Sequence, residues 1–170
     1  MEWAEVDFRI IVQNTDESYP PDLSPEDVAV HIAREKAKAV QKTTANETII
    51  AADTIVVLDG EIIGKPADRD DAIKILTKLS GRLHKVITGV VILHQKELSF
   101  ADVTEVEFHP LTAEQIVFYV DKYKPYDKAG AYAIQEWIGV VGIKRVNGDF
   151  YNVMGLPVSR VVQALAKEGW

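Results

Sequence analysis

The stretch from residue 49 to residue 58 decides the fold, and it reads Ile49-Ile50-Ala51-Ala52-Asp53-Thr54-Ile55-Val56-Val57-Leu58. Most of its residues are apolar and many are β-branched, which is typical of a buried strand. We therefore predict strand at Thr48–Ala52 and at Thr54–Leu58, on either side of Asp53. Asp59-Gly60 follows directly and predicts a tight hairpin turn. Because a hairpin joins antiparallel strands, the sheet is expected to be at least partly antiparallel.

Helices and strands alternate on both sides of this stretch. Ser24 and Pro25 predict the start of a helix that runs to about Gln41, since serine favours the N-cap and proline the first helical position. The other predicted elements are a strand at Asp7–Gln13, a helix through Ala72–Leu79 that is stopped by Gly81, strands at Val86–Leu93 and Leu98–Phe108, a helix from Thr112 to about Lys122, strands at Ile138–Val146 and Phe150–Val153 around an Asn147-Gly148 turn, and a last helix from near Pro157 to before Gly169. No change of composition, repeat or low-complexity tract divides the chain, so we predict one α/β domain over residues 1–170.

Composition and charge exclude several classes of protein. Of the 170 residues, 47% are hydrophobic and 26% are charged, which is typical of neither a disordered chain nor a membrane protein. The net charge of −7 argues against broad nucleic-acid binding, which needs a basic face, but not against one small phosphorylated ligand. The sequence contains no cysteine, which excludes a disulfide scaffold and thiolate chemistry. The chain opens without the pattern of a signal peptide, so a cytoplasmic location is expected.

Asp53 is the most informative polar residue, because it interrupts an apolar run. A carboxylate in that setting costs several kcal/mol unless it is paired, or else its pKa rises. One interpretation is structural, with Asp53 capping backbone amides at a bend in the strand. The competing interpretation is a carboxylate in a cleft that binds a cation or takes a proton from water.

Further polar residues occupy loops and helix faces that a ligand could reach. Gly64-Lys65-Pro66 presents a lysine on a stiff loop, for which phosphate is a natural partner. Lys36 lies on the first helix, Glu17 lies in the loop before it, and Asp127-Lys128-Ala129-Gly130 leads to Gln135. Each of these residues taken alone is also compatible with an ordinary surface charge. Taken jointly, they suit a metal-dependent hydrolase of phosphoanhydrides, in which carboxylates orient water and a cation, lysines neutralise phosphates and an amide contacts the base. The four histidines show no metal-ligand spacing and are interpreted as structural or exposed.

A series of short motifs runs along the chain. They are Ala51-Ala52-Asp53-Thr54-Ile55-Val56-Val57, Gly64-Lys65-Pro66, Leu79-Ser80-Gly81-Arg82-Leu83-His84, Thr88-Gly89-Val90, Asp127-Lys128-Ala129-Gly130-Ala131-Tyr132-Ala133-Ile134-Gln135 and Asn152-Val153-Met154-Gly155-Leu156-Pro157. In order and approximate spacing they resemble the Maf family of nucleoside triphosphate pyrophosphatases. The resemblance covers nearly the whole chain.

The resemblance implies a fold, an activity and a set of site residues. The implied fold is α/β, with a mixed, strongly bent sheet flanked by helices. The implied reaction is hydrolysis of a nucleoside triphosphate to the monophosphate and pyrophosphate, aided by a divalent cation, Mg²⁺ or Mn²⁺. By motif, Asp53 matches the family's proton acceptor, Lys36 and Lys65 match its phosphate-binding lysines, and Glu17 matches an acidic residue near the active site. Thr54 and Gln135 match positions tied to base selection, and the Ala-Tyr-Ala-Ile-Gln run is similar to the branch that acts on dTTP and UTP.

The chain departs from the family pattern in one respect. Family members carry a first strand and a Ser-x-Ser-Pro-Arg-Arg phosphate loop, and this sequence contains no such motif, so that segment is expected to be missing. This leaves an alternative to the enzyme: a non-catalytic nucleotide-binding protein with a regulatory role in septum formation, a role with which the family is associated. A chain that folds but binds no nucleotide is a further alternative. The resemblance is also compatible with a homodimer.

Overall fold

The computed structural model describes residues 1–44 and 46–169, and its centre is a five-stranded sheet. The strands are β1 (Ile49–Leu58), β2 (Glu61–Ile63), β3 (Leu83–Leu93), β4 (Glu97–Phe108) and β5 (Ile143–Asn147), in the order β2-β1-β3-β4-β5. All neighbouring strands of this sheet pair antiparallel. The long pairs β1–β3 and β3–β4 hold a continuous register, so side chains alternate regularly between the two faces.

The helices lie on both faces of the sheet. They are α1 (Pro25–Gln41), α2 (Arg69–Leu79), α3 (Ala113–Tyr123), α4 (Trp137–Gly142), α5 (Phe150–Val153) and α6 (Val158–Glu168), with short 3₁₀ turns at Glu2–Ala4 and Ala129–Ala131. Ser24 caps α1 by accepting a hydrogen bond from the Asp27 backbone N–H, and Thr112 and Gln115 form a capping box at α3. No helix in the described ranges has the length and apolar character needed to cross a bilayer.

The two faces of the sheet have separate hydrophobic cores. One face packs against α1, through buried residues such as Ile32, Ile55 and Ile87. The other face packs against α2, α3, α4 and the turn at Ala129–Ala131, and farther along against α6. A fold with helices on both faces of one sheet buries apolar side chains above and below it.

The α1 helix lies unusually close to the sheet at Gly89. A Cβ placed on Gly89 would lie 2.2 Å from the backbone carbon of Ala29, which is closer than any real contact. The helix side of this interface is a row of small, fully buried residues, Ala29, Ala33 and Ala37, spaced one turn apart. Gly89 pairs with Asp53 on the neighbouring strand. The same close approach therefore brings α1 to the level of Asp53.

Most sequence predictions of elements are confirmed. The α/β class, the hairpin at Asp59-Gly60 and the helices α1, α2, α3 and α6 all form. The two strands predicted on either side of Asp53 are one continuous strand, β1, which includes Asp53. The sheet of the described residues is antiparallel throughout, where a mixed sheet was expected. The domain predicted over residues 1–170 includes Ala45 and Trp170, which lie outside the described residues.

Three element predictions are wrong. Asp7–Gln13 has no regular secondary structure, because no strand of the described residues pairs with it. Ile138–Val146 is divided between α4 and β5, and Phe150–Val153 is the short helix α5. Gly148 does not join two strands, and it lies so close to Thr104 that a Cβ would come within 2.6 Å of the Thr104 hydroxyl.

Candidate active site

Asp53 and Thr54 lie where one edge of β1 becomes open. β3 pairs with β1 along residues 49–57, but β2 pairs only with Val56–Leu58. Among the described strands, the second edge of residues 49–55 therefore has no partner. Adjacent residues of a strand point to opposite faces, so Asp53 faces α1 and Thr54 faces the other side. Asp53 and Thr54 are thus neighbours in the strand that face opposite sides of the sheet.

A cluster of charged side chains surrounds Asp53. Lys36 Nζ on α1 donates to Asp53 Oδ1 at 2.5 Å and lies 3.1 Å from Glu17 Oε1. Lys65 Nζ donates to Glu17 Oε2 at 3.0 Å. The structure thus brings together the catalytic candidate Asp53, both candidate phosphate-binding lysines and Glu17, which the sequence separates widely. We call Glu17, Lys36, Asp53 and Lys65 the carboxylate–lysine cluster.

The setting of Asp53 changes its acid–base behaviour. Its side chain is only 11% exposed. Burial raises the pKa of Asp53 above its usual range, and the neighbouring Lys36 opposes that effect without cancelling it. Asp53 Oδ2 has no hydrogen-bond partner in the part of the chain that the structure describes. Asp53 therefore offers one oxygen of a carboxylate that is more basic than an ordinary aspartate.

The pKa values of Lys36 and Glu17 are shifted by their charged neighbours in the cluster. Burial by itself lowers the pKa of Lys36, but the hydrogen bonds and charges of Asp53 and Glu17 outweigh it and raise the pKa of Lys36. The hydrogen bond from Lys65 holds the pKa of Glu17 below its usual range. Both shifts favour the charged forms, the cation of Lys36 and the anion of Glu17. The cluster alternates positive and negative groups, and its lysines are of the kind that pair with phosphate oxygens.

The loop that carries Lys65 is fixed by its neighbours. β2 ends at Ile63, opposite Val56, and Lys65 follows it by two residues. The backbone N–H of Gly130 donates to the carbonyl of Gly64 at 3.1 Å, which joins the segment at Asp127–Gly130 to this loop. Lys128 and, to a smaller extent, Lys65 lower the pKa of Asp127, so this segment borders the cluster.

Gln135 and Thr54 lie outside the carboxylate–lysine cluster. Gln135 is exposed, and it hydrogen-bonds to none of the described residues. Thr54 Oγ1 lies 2.8 Å from Thr88 Oγ1 on the opposite face of the sheet from Asp53. Thr54 is the neighbour of Asp53 on β1 but faces the other side of the sheet from the carboxylate–lysine cluster.

Sequence reasoning did not assign a role to several residues that shape the site. Thr88 and Asn152 are fully buried polar residues joined to Thr54, and Gly89 permits the approach of α1. All of them occur in the quoted motifs, but neither composition nor spacing shows what they contact. Thr88 could have been noticed in the sequence, because it is a polar residue within the apolar run that forms β3.

The residues present fit a divalent cation only together with a phosphate ligand. Among the described residues, no three His, Cys, Asp or Glu side chains form a group that could hold a metal. Glu17 and Asp53, however, both contact Lys36 Nζ and so lie near each other. Mg²⁺ is commonly bound by one or two carboxylates and completes its coordination with water and substrate phosphates. The donor set therefore suits a cation that enters with a polyphosphate.

The fold and the cluster define an α/β protein with a mixed-charge site beside β1. The chain belongs to the Maf family, since residues 1–168 match the family described as Maf-like protein.

Relatives with curated names agree with this membership. A dTTP/UTP pyrophosphatase of Cytophaga hutchinsonii is 48% identical over 168 residues, which cover 98% of this chain and 77% of the relative. A dTTP/UTP pyrophosphatase of Phocaeicola vulgatus is 50% identical over 154 residues, 89% of this chain and 80% of the relative. A third, of Parabacteroides distasonis, is 47% identical over 164 residues, 95% of this chain and 85% of the relative.

Proposed function

We propose that this protein hydrolyses dTTP and UTP, or modified pyrimidine triphosphates, to the monophosphate and pyrophosphate. The observation that carries the proposal is Asp53, a largely buried carboxylate with a raised pKa, held 2.5 Å from Lys36 in a cluster that also contains Lys65. The names of the relatives, which are similar over most of the chain, support the substrate class.

The proposed reaction is a displacement at the α-phosphorus. The free oxygen of Asp53 accepts a proton from water, whose oxygen forms a bond to the α-phosphorus. The bond from that phosphorus to the oxygen bridging to the β-phosphorus breaks, and its electron pair leaves with pyrophosphate. Lys36 and Lys65 exchange Glu17 for phosphate oxygens and neutralise the charge on the leaving group.

A divalent cation, Mg²⁺ or Mn²⁺, is part of the proposal. Glu17 and Asp53 are the residues that would hold it, together with phosphate oxygens of the substrate. When bound, such a cation supplies Lewis-acid stabilisation of negative charge on the phosphates.

Base selection is assigned to residues beside the cluster. Thr54 and Gln135 occupy the positions that the family resemblance ties to the choice of base, and Thr54 lies at the same open edge as Asp53. A nucleotide across that edge would place its phosphates by the lysines on the α1 side and its base on the side of Thr54. A cytoplasmic location and a homodimer stay predictions of the sequence analysis.

A non-catalytic, regulatory role is the less favoured alternative. A protein that only binds nucleotides has no use for a buried carboxylate with a free oxygen and a raised pKa, which costs stability. The relatives at 47–50% identity are named as enzymes.

The test is release of pyrophosphate from the common nucleoside triphosphates with Mg²⁺ or Mn²⁺, run beside Asp53→Asn. We expect pyrophosphate to be released from dTTP and UTP, and a chelator to stop the release. In Asp53→Asn the rate should fall at least about a hundredfold, as for loss of a general base. Asp59→Asn is the matched control, because Asp59 is an exposed carboxylate at the far end of the same strand. Equal rates for Asp53→Asn and the parent would overturn the assignment.

A further inference from the structure

A row of buried polar residues crosses the sheet on the face opposite α1. Thr54 on β1, Thr88 on β3 and Thr104 on β4 share this face, and Asn152 of α5 lies above them. Thr88, Thr104 and Asn152 are 0% exposed, whereas Thr54 is partly exposed. Apolar clusters border the row on both sides. Thr54 is thus the end of the row that a ligand can reach.

The hydrogen bonds of this row have a defined direction. The hydroxyl of Thr88 donates to the backbone carbonyl of Asn152 at 3.0 Å, and a carbonyl can only accept. A threonine hydroxyl has one hydrogen, so Thr88 Oγ1 can only accept from Thr54 Oγ1, 2.8 Å away. Thr54 is therefore the donor of that pair, and its hydrogen is already used.

Asn152 is itself held in place. Its side-chain amide nitrogen donates to the carbonyl of Val86 at 3.1 Å and to Thr104 Oγ1 at 2.9 Å. Thr104 Oγ1 also accepts from the backbone N–H of Asp149 at 3.0 Å. These contacts hold in place the Asn152 carbonyl that accepts the Thr88 hydrogen. The donor-to-acceptor direction of the hydrogen bonds from Thr54 to Asn152 is therefore fixed.

We propose that Thr88 and Asn152 are positioning residues that leave Thr54 only hydrogen-bond acceptor capacity, so that Thr54 selects a base with an N–H at the contacted position. Uracil and thymine carry a hydrogen on N3, whereas N3 of cytosine is an acceptor. A fixed acceptor at this point therefore favours UTP and dTTP over CTP. This inference rests on the proposed function, because it requires that the base lie beside Thr54.

The test compares kcat/KM for UTP with kcat/KM for CTP in position-88 variants. Thr88→Val removes the acceptor of the Thr54 hydrogen and frees that hydroxyl to donate to cytosine N3. We expect the UTP-to-CTP ratio to fall about five- to tenfold, the worth of one neutral hydrogen bond. Thr88→Ser keeps the hydroxyl and is expected to keep the parent's ratio. An unchanged ratio in Thr88→Val, or the same fall in Thr88→Ser, would overturn the proposal.

A second comparison separates this inference from the proposed function. Thr54→Val removes the acceptor itself and is expected to lower the same ratio. If Thr54→Val lowers the ratio but Thr88→Val does not, base selection by Thr54 stands and the role of Thr88 is refuted. If the parent hydrolyses neither nucleotide, the proposed function fails. Should Thr88→Val not fold, Thr88→Cys replaces it, because a thiol fills the space but its sulfur is only a weak acceptor for the Thr54 hydrogen.

Discussion

Burial and Lys36 act on the carboxyl group of Asp53 in opposite directions. Burial raises its pKa, and the ammonium group of Lys36 lowers it. A general base works best when its pKa lies near the working pH, because it must be ionised and still attract a proton. Burial therefore makes Asp53 more basic than an exposed aspartate, and Lys36 limits the rise of its pKa.

Removing Lys36 is predicted to shift the pH dependence of activity. Without the cation, burial and the charge of Glu17 both raise the pKa of Asp53. The acidic limb of kcat/KM for dTTP should then move to higher pH by about one to three units in Lys36→Met, the usual effect of one neighbouring charge. The pH profile of residual activity measures this shift directly.

Lys38→Met is the matched control for this prediction. Lys38 lies on the same helix but is half exposed, and its partner is Glu35 rather than a cluster residue. The acidic limb of the pH profile of Lys38→Met should coincide with that of the parent. An acidic limb that stays in place in Lys36→Met would show that Asp53 is not the group that titrates.

At the scale of elements, the packing of α1 on β3 positions the cluster. Lys36 reaches Asp53 because the helix backbone passes directly over Gly89, the strand partner of Asp53. Close helix–sheet packing of this kind needs small residues on both sides, which Ala29 and Ala33 supply on the helix. The geometry of the site is therefore a consequence of how one helix packs.

Gly89→Ala is predicted to destabilise the fold. The added methyl group would overlap the backbone of Ala29 and Val30, and backbone atoms cannot rotate away as a side chain can. We expect a loss of about 3 kcal/mol in the free energy of unfolding, at the upper end for overpacking. Urea denaturation followed by circular dichroism measures it.

Gly64→Ala serves as the control for stability. A Cβ at Gly64 would have no atom within 4 Å, so the change should stay within about 0.5 kcal/mol. Equal stability of Gly89→Ala and the parent would mean that α1 does not approach β3 as described.

Long elements with clear periodicity could be predicted from the sequence, whereas short ones could not. The α1 helix has a serine cap and an initial proline, and β1 has a long β-branched run, so both carry their own local signals. Residues 137–142 also look like strand, but Ile138 and Gly142 lie four positions apart and are both buried, as on one face of a helix. Over six residues the two periodicities cannot be told apart from composition.

Two further differences have identifiable physical causes. Asp7–Gln13 contains the β-branched run Ile10-Ile11-Val12, but such a segment forms a strand only when another backbone pairs with it. Asp149 caps α5 by accepting from the backbone N–H of Tyr151 at 2.7 Å, a helix signal that the neighbouring Asn147-Gly148 turn pattern obscures. Contacts with Thr104, rather than a hairpin, explain the glycine at 148.

At the scale of the whole molecule, the core contains one histidine that opposes folding in acid. His84 is 2% exposed, its Nε2 lies 2.8 Å from the hydroxyl of Tyr132, and its ring stacks on Phe108. Burial lowers the pKa of His84 from 6.5 to about 4. The unfolded chain therefore binds a proton between these values that the folded chain excludes, so stability is lost as pH falls through this window.

The predicted loss is about 2 kcal/mol in the free energy of unfolding between pH 7 and pH 5. His84→Phe lacks the titrating group. Between pH 7 and pH 5, its free energy of unfolding should therefore fall by about 2 kcal/mol less than that of the parent. Urea denaturation at the two pH values gives both differences. Parallel pH dependence in the two proteins would contradict the assignment of a neutral, buried His84.

The candidate site follows from the sequence less directly than the fold does. The apolar setting of Asp53 marks it as unusual, but its pairing with Lys36 and Glu17 depends on contacts between distant segments. The direction of the Thr54 hydroxyl depends on Thr88 and Asn152, which only the folded chain brings together. Residue types can thus be selected from the sequence, and their partners cannot.

The central claim is that water attacks the α-phosphorus of dTTP or UTP at Asp53. It is tested most directly by hydrolysis of dTTP in ¹⁸O-labelled water, followed by mass spectrometry of both products. We predict one labelled oxygen in dTMP and none in pyrophosphate, with the yield of both products at least about a hundredfold lower in Asp53→Asn. Label in pyrophosphate would place the attack at the β-phosphorus, and that result, or the absence of any cleavage of dTTP and UTP, would contradict the claim.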